Sequence, residues 1–529
     1  MSGPSLSAET TNSSSRRIAV IGGGLAGMTA AFRLQELARQ SGQTLEITLF
    51  EASDRLGGIV GTEQIGDYLV DVGADSFLTN KPGAVGLCRR LGLEDRLIPT
   101  DARYRGALVL FNGRPVPVPE GFQLLSPTAI WPVITTPLFS VWGKLRLLME
   151  WFVPRKQAAN VDRAATNGSS TAAAPAPLVD ESLADFARRR FGREALDRLI
   201  QPLVGGIYTA DPERLSLAAT MPRFLEMERD YGSLIRAAFQ PKPARSASAT
   251  ASPDAGAIGE NDSSSGARYG LFAGLKGGLE DLVAALRTQV ESTCCVHLNC
   301  AVTSVNAVST PSAGSSGPAV PGVYQLTLGD GSTERFAAVI VASTAARTAD
   351  LLQSLNPTLS DELRGIEFAS SALVVTGHRL ADVRNPLQAF GLVIPHAERR
   401  KILAVSFSSR KFPDRAPADR VLLRTFVGGA LQPELFSLTD AQLIETVRSE
   451  LAETLGVRGE PDFVRIYRYS NAMPQYVVGH LDRVARIDAL IQQYPGLAVA
   501  GIAYRGVGIP DVVSSGEQAA ENVVRYINA

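Results

Sequence analysis

The stretch Arg17-Ile-Ala-Val-Ile-Gly-Gly-Gly-Leu-Ala-Gly-Met28 lies near the start of this 529-residue chain. Its apolar run leads into the pattern Gly22-x-Gly24-x-x-Gly27, and an Ala/Leu-rich segment follows. A second apolar run ends on Glu51. This order predicts a strand, a tight glycine turn, a helix and a second strand. Such a βαβ unit is typical of dinucleotide-binding proteins.

Each glycine of this pattern has a physical role. Gly22 allows the tight turn, Gly24 lets the backbone approach a pyrophosphate, and Gly27 lets the helix pack closely on the strand. The pyrophosphate would lie at the positive end of the helix, and the acid at the end of the second strand would accept hydrogen bonds from ribose hydroxyls. The first candidate cofactor residues are therefore Gly22, Gly23, Gly24, Leu25, Ala26, Gly27, Glu51 and Ala52.

The composition is that of an ordinary globular protein. Hydrophobic residues make up 45% of the chain, charged residues 20%, and the net charge is −1. No global field favours nucleic acid, and the length is sufficient for two or three domains. The four cysteines and four histidines lack the spacing of metal ligands, so we expect no metal site. Unpaired cysteines indicate a reducing compartment, and we expect a cytoplasmic protein.

Residues 122–143 carry no charge, but prolines interrupt them three times. A membrane-spanning helix needs roughly 20 continuous apolar residues, so we expect none here. All three tryptophans, Trp131, Trp142 and Trp151, lie in or just after this segment, and basic residues follow. Two interpretations stay open. The segment is either an apolar surface in a membrane interface, with the protein peripherally associated, or a buried helical lobe over a substrate cavity.

Low-complexity composition divides the chain further. Residues 1–15 are rich in Ser and Thr without the pattern of a signal peptide, and we expect a disordered tail. Three segments rich in Ala, Ser, Gly and Pro are expected to be disordered insertions, namely residues 157–177, 241–266 and 309–322. They interrupt structured segments, so we interpret them as loop insertions rather than domain linkers.

Local patterns predict several further elements. Residues 105–119 form a predicted hairpin with Asn112-Gly113 as its two-residue turn. Helical periodicity predicts helices over residues 81–91 and 439–455. The sequence also predicts strands over residues 297–305 and 336–342.

A second glycine pair specifies the dinucleotide. The sequence Arg55-x-Gly57-Gly58 resembles the R-x-G-G extension of FAD-binding amine-oxidase-type flavoproteins, which nicotinamide enzymes have no reason to keep. It adds Arg55, Gly58 and Ile59 to the candidate cofactor residues and indicates FAD.

Motifs along almost the whole chain resemble one family. They are Gly-Ala-Asp-Ser-Phe at residues 73–77, Pro-Leu-Val-Gly-Gly-Ile-Tyr at 202–208 with Asp-Pro-Glu-Arg-Leu-Ser at 211–216, Leu-Lys-Gly-Gly-Leu at 275–279, Met-Pro-Gln-Tyr-Val-Val-Gly-His at 473–480 and Tyr-Arg-Gly-Val-Gly-Ile-Pro-Asp at 504–511. The last two are the most specific. With the glycine motifs, they identify the chain as similar to the oxygen-dependent porphyrinogen oxidases of haem biosynthesis, in the amine oxidase superfamily.

The resemblance implies an α/β fold with three parts. A Rossmann-like FAD-binding domain of the glutathione-reductase type would comprise residues 16–92, 268–350 and 480–529. An α+β substrate-binding domain would comprise residues 93–121 and 365–479. Residues 122–240 would form a mainly helical lobe, the part for which membrane contact stays open.

The resemblance also assigns site residues. Gly73, Ala74, Asp75 and Ser76 would line the flavin, and Val302 would meet the adenine through its backbone. Tyr469, Val507, Gly508 and Ile509 would complete the cofactor site. Arg105 is the candidate for binding a substrate propionate. The chain departs from the family at Tyr469, where tryptophan is frequent, and at Val512, where cysteine is common.

The implied reaction removes six electrons from coproporphyrinogen III or protoporphyrinogen IX in three two-electron steps, with molecular oxygen as the acceptor. FAD carries the chemistry, so no protein side chain is assigned a catalytic role. Residues 514–516 lack the cysteine to which some amine oxidases attach FAD, which indicates non-covalent FAD. Peripheral membrane contact and a homodimer stay open. The alternatives are an amine or carotenoid oxidoreductase of the same superfamily, or a non-catalytic porphyrin- or flavin-binding carrier.

Overall fold

The computed structural model describes residues 17–119, 122–123, 126–127, 135–156, 179–239, 272–309 and 321–528. The expected tail (1–15) and the expected insertions at 157–177 and 241–266 lie outside the described residues, as do most of the insertion at 309–322 and Trp131.

A five-stranded parallel sheet contains the glycine motif. In spatial order its strands are Cys295–His297, Glu46–Phe50, Arg17–Ile21, Ala338–Val341 and Leu497–Val499. The helix Leu25–Ser41 connects the central strand to its neighbour, which confirms the predicted βαβ unit. Ile18 and Val20 contribute to the core on one face of the sheet, and Ala19 and Ile21 to the core on the other. Burial on both faces explains the continuous apolar run in the sequence.

Different layers cover the two faces of the parallel sheet. On one face lie the helices Leu25–Ser41, Glu280–Thr293 and Ile509–Ile527, with Pro82–Arg90 packed against the last, as expected for residues 81–91. On the other face lie the helices Ala345–Leu352, Pro357–Arg364 and His480–Ile491 and a three-stranded sheet of Val302–Ser309, Pro321–Leu328 and Thr333–Phe336.

Each of two predicted strands is divided between two sheets in the structure. Residues 297–305 divide into Cys295–His297, in the parallel sheet, and Val302–Ser309, in the three-stranded sheet, with a turn at Asn299 (φ 54°) between them. Residues 336–342 likewise divide between two sheets at Ala337. Residues 336–341 are buried throughout, so the change of sheet leaves no mark in their apolar pattern, whereas Cys295–His297 is a mainly exposed edge strand. The predicted insertion 309–322 is also too long, since strands end at Ser309 and begin at Pro321.

A seven-stranded sheet lies beside the parallel sheet. Its spatial order is Phe463–Pro474, Phe368–Arg379, Arg420–Gly428, Ala404–Phe407, Gly391–Val393, Leu108–Phe111 and Arg114–Pro117. Leu108–Phe111 pairs in parallel with Gly391–Val393, and the other pairs are antiparallel. The predicted hairpin is confirmed, with positive φ at Asn112 and Gly113 as a type I′ turn requires. The helix predicted over residues 439–455 is confirmed as Asp440–Leu455, and it packs behind the sheet.

The region between residues 135 and 239 is mainly helical. Its helices are Val141–Leu148, Leu183–Arg190, Arg193–Ala195, Leu196–Ile200 (a π-helix), Gln201–Tyr208, Leu217–Thr220, Pro222–Tyr231 and Leu234–Phe239. Most contribute to one apolar core. A backbone hairpin of Phe122–Gln123 and Ser126–Pro127 precedes them. No helix within the described ranges has the length and apolar character needed to cross a bilayer.

Short elements complete the chain. Thr62–Ile65 pairs with Tyr68–Asp71, and Phe272–Leu275 pairs with Phe77–Leu78 and Leu97–Pro99. Single turns of helix occupy Glu94–Arg96, Ala102–Tyr104, Met149–Phe152, Leu380–Asp382, His396–Glu398, Ser408–Lys411 and Pro433–Ser437.

Candidate functional site

The first glycine loop has the geometry that its sequence predicts. A Cβ atom on Gly22 would lie 2.5 Å from the carbonyl oxygen of Ala342, and one on Gly27 would lie 1.8 Å from the carbonyl oxygen of Gly22. Those two positions therefore exclude any side chain. A Cβ atom on Gly24 would meet nothing within 4 Å, so this glycine faces open space. Gly24 also caps the helix that begins at Leu25 without a side-chain hydrogen bond, which leaves first-turn N–H groups for a ligand.

The second glycine pair packs directly on the first loop. The N–H of Gly57 donates to the carbonyl of Gly23 over 2.9 Å, and a Cβ atom on Gly58 would lie 3.2 Å from the Cα atom of Gly24. The guanidinium of Arg55 donates to the carbonyl of Gly58 over 2.7 Å. The two glycine motifs therefore form one surface, with the open side of Gly24 at its centre.

The acidic residue at the end of the second strand lies at the same surface. One carboxylate oxygen of Glu51 accepts from the N–H of Gly23 over 2.6 Å, and the other accepts from the N–H of Ser53 over 2.8 Å. Ala52 lies between Glu51 and Ser53 in the chain. Val302 begins a strand of the three-stranded sheet, and its carbonyl accepts from Arg347 over 2.7 Å.

The two most specific motifs contact each other. The hydroxyl of Tyr476 accepts from the N–H of Gly506 over 2.8 Å and donates to the carbonyl of Ile502. The ring of His480 stacks on Tyr476 at 4.1 Å between centroids and donates from Nε2 to the carbonyl of Tyr504 over 2.9 Å. Burial lowers the pKa of His480, so the ring is a neutral donor. Residues 473–480 thus support the loop that leads to the helix Ile509–Ile527, whose cap is Gly508.

A cavity of about 420 Å³ lies where these loops meet the seven-stranded sheet. Its lining includes seven of the sequence-predicted site residues, namely Ile59, Gly73, Ala74, Asp75, Tyr469, Val507 and Gly508. Apolar side chains of the sheet, such as Leu373, Leu392 and Phe426, form another wall, and the helix Gln201–Tyr208 closes a third side. Arg105 is not among the lining residues, although Ala107 is.

Two basic side chains that the sequence did not single out line this cavity. Nζ of Lys411 lies 2.7 Å from one oxygen of Asp75, and the guanidinium of Arg424 lies 2.9 Å from the other. Burial alone would raise the pKa of Asp75, but Lys411 and Arg424 hold it well below its usual value. Arg424 also donates to the carbonyl of Gly73, so the cluster fixes this loop against the sheet.

The largest uncharged polar side chain of the lining is Tyr469. The hydroxyl of Tyr469 donates to the carbonyl of Val72, and burial raises the pKa of Tyr469 to about 12. Ser76 donates to Asp75 and accepts from Lys411, so it belongs to the charged cluster rather than to the lining. One feature of the sequence pointed to this cluster. Arg424 is the single charged residue in the apolar run of residues 421–428.

These features fit a dinucleotide whose ring system reaches the cavity. The open face of Gly24 and the first turns of the helices Leu25–Ser41 and Ile509–Ile527 offer N–H groups. Among the described residues, no group of histidine, cysteine and acidic side chains is arranged to hold a metal ion.

Comparison with known proteins agrees with this geometry. The model of the family described as flavin containing amine oxidoreductase matches residues 25–524. The chain belongs to that family. Its relatives include a coproporphyrinogen III oxidase of Bacillus subtilis, with 32% identity covering 97% of this chain and 98% of the relative. They also include protoporphyrinogen oxidase 2 of Arabidopsis thaliana, with 28% identity covering 98% of this chain and 95% of the relative.

Solved structures of this family share the fold. A crystal structure from Exiguobacterium sp. 255-15, provisionally named a protoporphyrinogen oxidase, has a TM-score of 0.76 and 26% identity, covering 98% of this chain and 100% of that one. A putrescine oxidase structure has a TM-score of 0.62 and 15% identity, covering 96% of this chain and 99% of that one. At this identity the likeness supports the fold alone. The chain therefore has the mixed α/β fold of the flavin amine oxidoreductases.

Proposed function

We propose that this flavin amine oxidoreductase is an oxygen-dependent porphyrinogen oxidase. The observation that carries the proposal is the cavity between the loops assigned to FAD and the apolar wall of the seven-stranded sheet. Full-length relatives named coproporphyrinogen III oxidase support the same reaction. In it, a porphyrinogen loses six electrons to FAD in three two-electron steps, with molecular oxygen as the final acceptor.

FAD is the proposed cofactor. Its ADP half would be held by the first glycine loop and its neighbours, Gly22, Gly23, Gly24, Leu25, Ala26, Gly27, Glu51, Ala52, Arg55, Gly58 and Ile59, with the backbone of Val302 at the adenine. Its ring would be held by Gly73, Ala74, Asp75, Ser76, Tyr469, Val507, Gly508 and Ile509. When bound, FAD supplies the two-electron chemistry, and the side chains around it orient the macrocycle. Among the described residues, neither cysteine nor histidine lines the cavity, which supports non-covalent attachment.

The charge of the cavity favours an acidic substrate. Its charged lining residues are Asp75, Lys411 and Arg424, which together carry one net positive charge in a mainly apolar site. A buried positive charge repels a protonated amine and suits a carboxylate. This observation disfavours the amine oxidase alternative.

Coproporphyrinogen III is the first candidate substrate. Three curated relatives named coproporphyrinogen III oxidase are 32%, 29% and 31% identical to the chain, whereas two named protoporphyrinogen oxidase are 28% identical. Protoporphyrinogen IX remains the second candidate because those relatives also match over 98% of the chain.

We further propose the three-part division of the chain that its sequence suggests. The parallel sheet takes its strands from residues 17–50, 295–297, 338–341 and 497–499, in support of an FAD-binding domain of residues 16–92, 268–350 and 480–529. The seven-stranded sheet takes its strands from residues 108–117 and 368–474, in support of a substrate-binding domain of residues 93–121 and 365–479. Residues 122–240 would form the helical lobe.

A surface of this lobe is the proposed membrane contact. On the helix Val141–Leu148 and the turn after it, Trp142 is 79% exposed and Phe152 is 77% exposed. Between exposed neighbours, Glu150 is completely buried, where it pairs with Arg190 over 3.1 Å and accepts from the N–H of Leu234 over 3.0 Å.

Surface turns usually expose charged side chains and bury aromatic ones. Here Glu150 is buried, whereas Trp142 and Phe152 are exposed. An apolar surface held rigidly outward suits the interfacial region of a bilayer. The guanidinium of Arg236 lies 5.0 Å from the ring of Trp151, so a basic group borders the surface. We therefore propose a cytoplasmic protein that binds membranes peripherally.

The experiment that tests the proposed function is aerobic incubation of the FAD-loaded protein with each porphyrinogen. Appearance of the fluorescent porphyrin supports the proposal, and the ratio of the two rates identifies the substrate. A carrier would bind porphyrin without producing any from the reduced substrate. Oxidation of amines alone would indicate the amine oxidase alternative.

A further inference from the structure

We propose that a row of three cavities beside the helix Gln201–Tyr208 is a passage by which dioxygen reaches the main cavity. The inference rests on the proposed oxygen-dependent function and adds a route for the electron acceptor. Each dioxygen molecule accepts two electrons and two protons and leaves as hydrogen peroxide, so its access is needed at every two-electron step.

The three cavities follow one another along successive residues. The main cavity and a small cavity share Gly206 and Thr209 as lining residues. The small cavity and an outer cleft of about 340 Å³ share Ala210. The outer cleft is bordered by Arg214 and Glu367, an ion pair whose side chains are about half exposed. The three cavities are therefore neighbours, arranged between solvent and the cavity proposed for substrate and flavin.

The volume of the small cavity limits which molecules can pass through it. Its volume is about 10 Å³, which is close to the minimum of roughly 10–15 Å³ that one water molecule needs. A macrocycle cannot pass through such a space, whereas a diatomic molecule can with small movements of the lining. The passage is therefore separate from any route for the porphyrinogen.

The lining of the small cavity favours an apolar molecule. It is formed mainly by apolar groups, Pro202, Gly205, Gly206, Ile394, Leu403 and Leu431. Its polar side chains are Gln201, whose amide oxygen accepts from the N–H of His396 over 2.9 Å, and Thr209, whose buried hydroxyl has no hydrogen-bond partner among the described residues. Small apolar cavities in proteins remain dry and take up apolar gases, whereas water needs two or more polar partners. Dioxygen meets the size requirement, and the mainly apolar lining accommodates it.

The backbone keeps this space open. The consecutive glycines Gly205 and Gly206 remove side chains from the helix where it borders the small cavity. A Cβ atom on Gly206 would lie 3.6 Å from Val393, so only a larger side chain would close the gap there. Thr209 has a left-handed conformation (φ 46°), fixed by its N–H donating to Gly205 and its carbonyl accepting from Ala430, each over 2.8 Å.

Xenon is the probe for occupancy, because it is apolar and visible by X-ray diffraction. Crystals of the FAD-loaded protein under xenon gas should show a xenon atom in the small cavity. The substitution Gly205→Val should remove it by filling the space. Xenon absent from the wild-type cavity, or retained in the Gly205→Val variant, would overturn the proposal.

Flavin reoxidation is the functional readout. The enzyme is reduced with dithionite, without porphyrinogen, and mixed with dissolved oxygen. Gly205→Val should lower the second-order rate constant about tenfold, which corresponds to a barrier higher by about 1.4 kcal/mol. Gly205→Ala should have an intermediate effect. The matched control is Gly86→Val, because Gly86 lies in another helix where the added Cβ atom meets only Arg90, at 3.5 Å.

Anaerobic reduction by porphyrinogen separates a blocked passage from a damaged site. Gly205→Val should reduce its flavin at the wild-type rate. Equal reoxidation rates in the variant and the wild type, or equal slowing of reduction and reoxidation, would overturn the passage. Failure of the wild type to oxidise porphyrinogen would instead contradict the proposed function, and the dithionite assay would still test the passage.

Discussion

The hydroxyl of Tyr476 lies 2.8 Å from the backbone nitrogen of Gly506 and accepts its hydrogen bond. This contact joins two motifs that are 30 residues apart in the sequence. Gly506 directly precedes Val507 and Gly508, which line the main cavity. The shape of the loop at the proposed flavin site therefore depends on a side chain from the end of the seven-stranded sheet.

Replacing Tyr476 with Phe should weaken FAD binding. The variant leaves the N–H of Gly506 and the carbonyl of Ile502 without their partner, at a cost of about 1–3 kcal/mol for an unsatisfied buried group. We expect faster loss of flavin on dilution and a lower melting temperature. The control is Tyr494→Phe, which removes a hydroxyl that donates to Leu355 instead. Equal flavin retention in both variants would contradict this role of Tyr476.

The stability contributed by His480 should depend on pH. Its pKa is lowered from the usual 6.5 by burial, so below that pH the unfolded chain binds a proton that the folded chain does not. The contribution is present above pH 6.5 and is lost as the pH falls toward the folded-state pKa. His480→Gln keeps an N–H for Tyr504 but does not titrate. Urea unfolding between about pH 7 and pH 5 should therefore show a smaller loss of stability in the variant. Identical pH profiles would contradict the prediction.

Two glycines of the first loop should respond differently to Val. At Gly24 the added side chain meets open space, so the apoprotein should fold but fail to hold flavin. At Gly27 the first added carbon would lie 1.8 Å from a carbonyl oxygen, so the protein should not fold. Circular dichroism reports folding, and visible absorbance reports flavin. A yellow Gly24→Val protein would show that the loop does not hold the cofactor.

Membrane binding should depend on the exposed aromatic side chains of the lobe. The double variant Trp142→Ser, Phe152→Ser should bind anionic phospholipid vesicles about tenfold more weakly, equivalent to about 1.4 kcal/mol. Vesicle flotation measures the bound fraction. The control is Ile444→Ser, since Ile444 is 37% exposed on a helix behind the seven-stranded sheet. Equal flotation of wild type and double variant would contradict the proposed surface.

Structural elements that depend only on neighbouring residues are predicted well from the sequence. The glycine turn, the helix after it and the hairpin at Asn112-Gly113 follow from local backbone requirements, and all are confirmed. The division of residues 297–305 between two sheets does not, because the first strand is short and mainly exposed and has no distinct local pattern. A strand break of this kind depends on which distant strand each segment pairs with in the folded chain.

The charged cluster of the cavity could not be predicted for a related reason. Lys411 and Asp75 are 336 residues apart and meet only when the two sheets pack together. Arg105, in contrast, attracts attention in the sequence but does not line the cavity. Local patterns therefore predicted the loops that line the cavity better than its charged side chains.

The most direct test of the proposed function is the ratio of oxygen consumed to porphyrin formed. The FAD-loaded protein is incubated with coproporphyrinogen III, and dissolved oxygen and porphyrin fluorescence are recorded together. Removal of six electrons by a two-electron acceptor predicts three molecules of oxygen consumed, and three of hydrogen peroxide released, for each porphyrin. Gly24→Val provides the flavin-free control. Absence of porphyrin formation above that control, with either porphyrinogen, would contradict the proposed function.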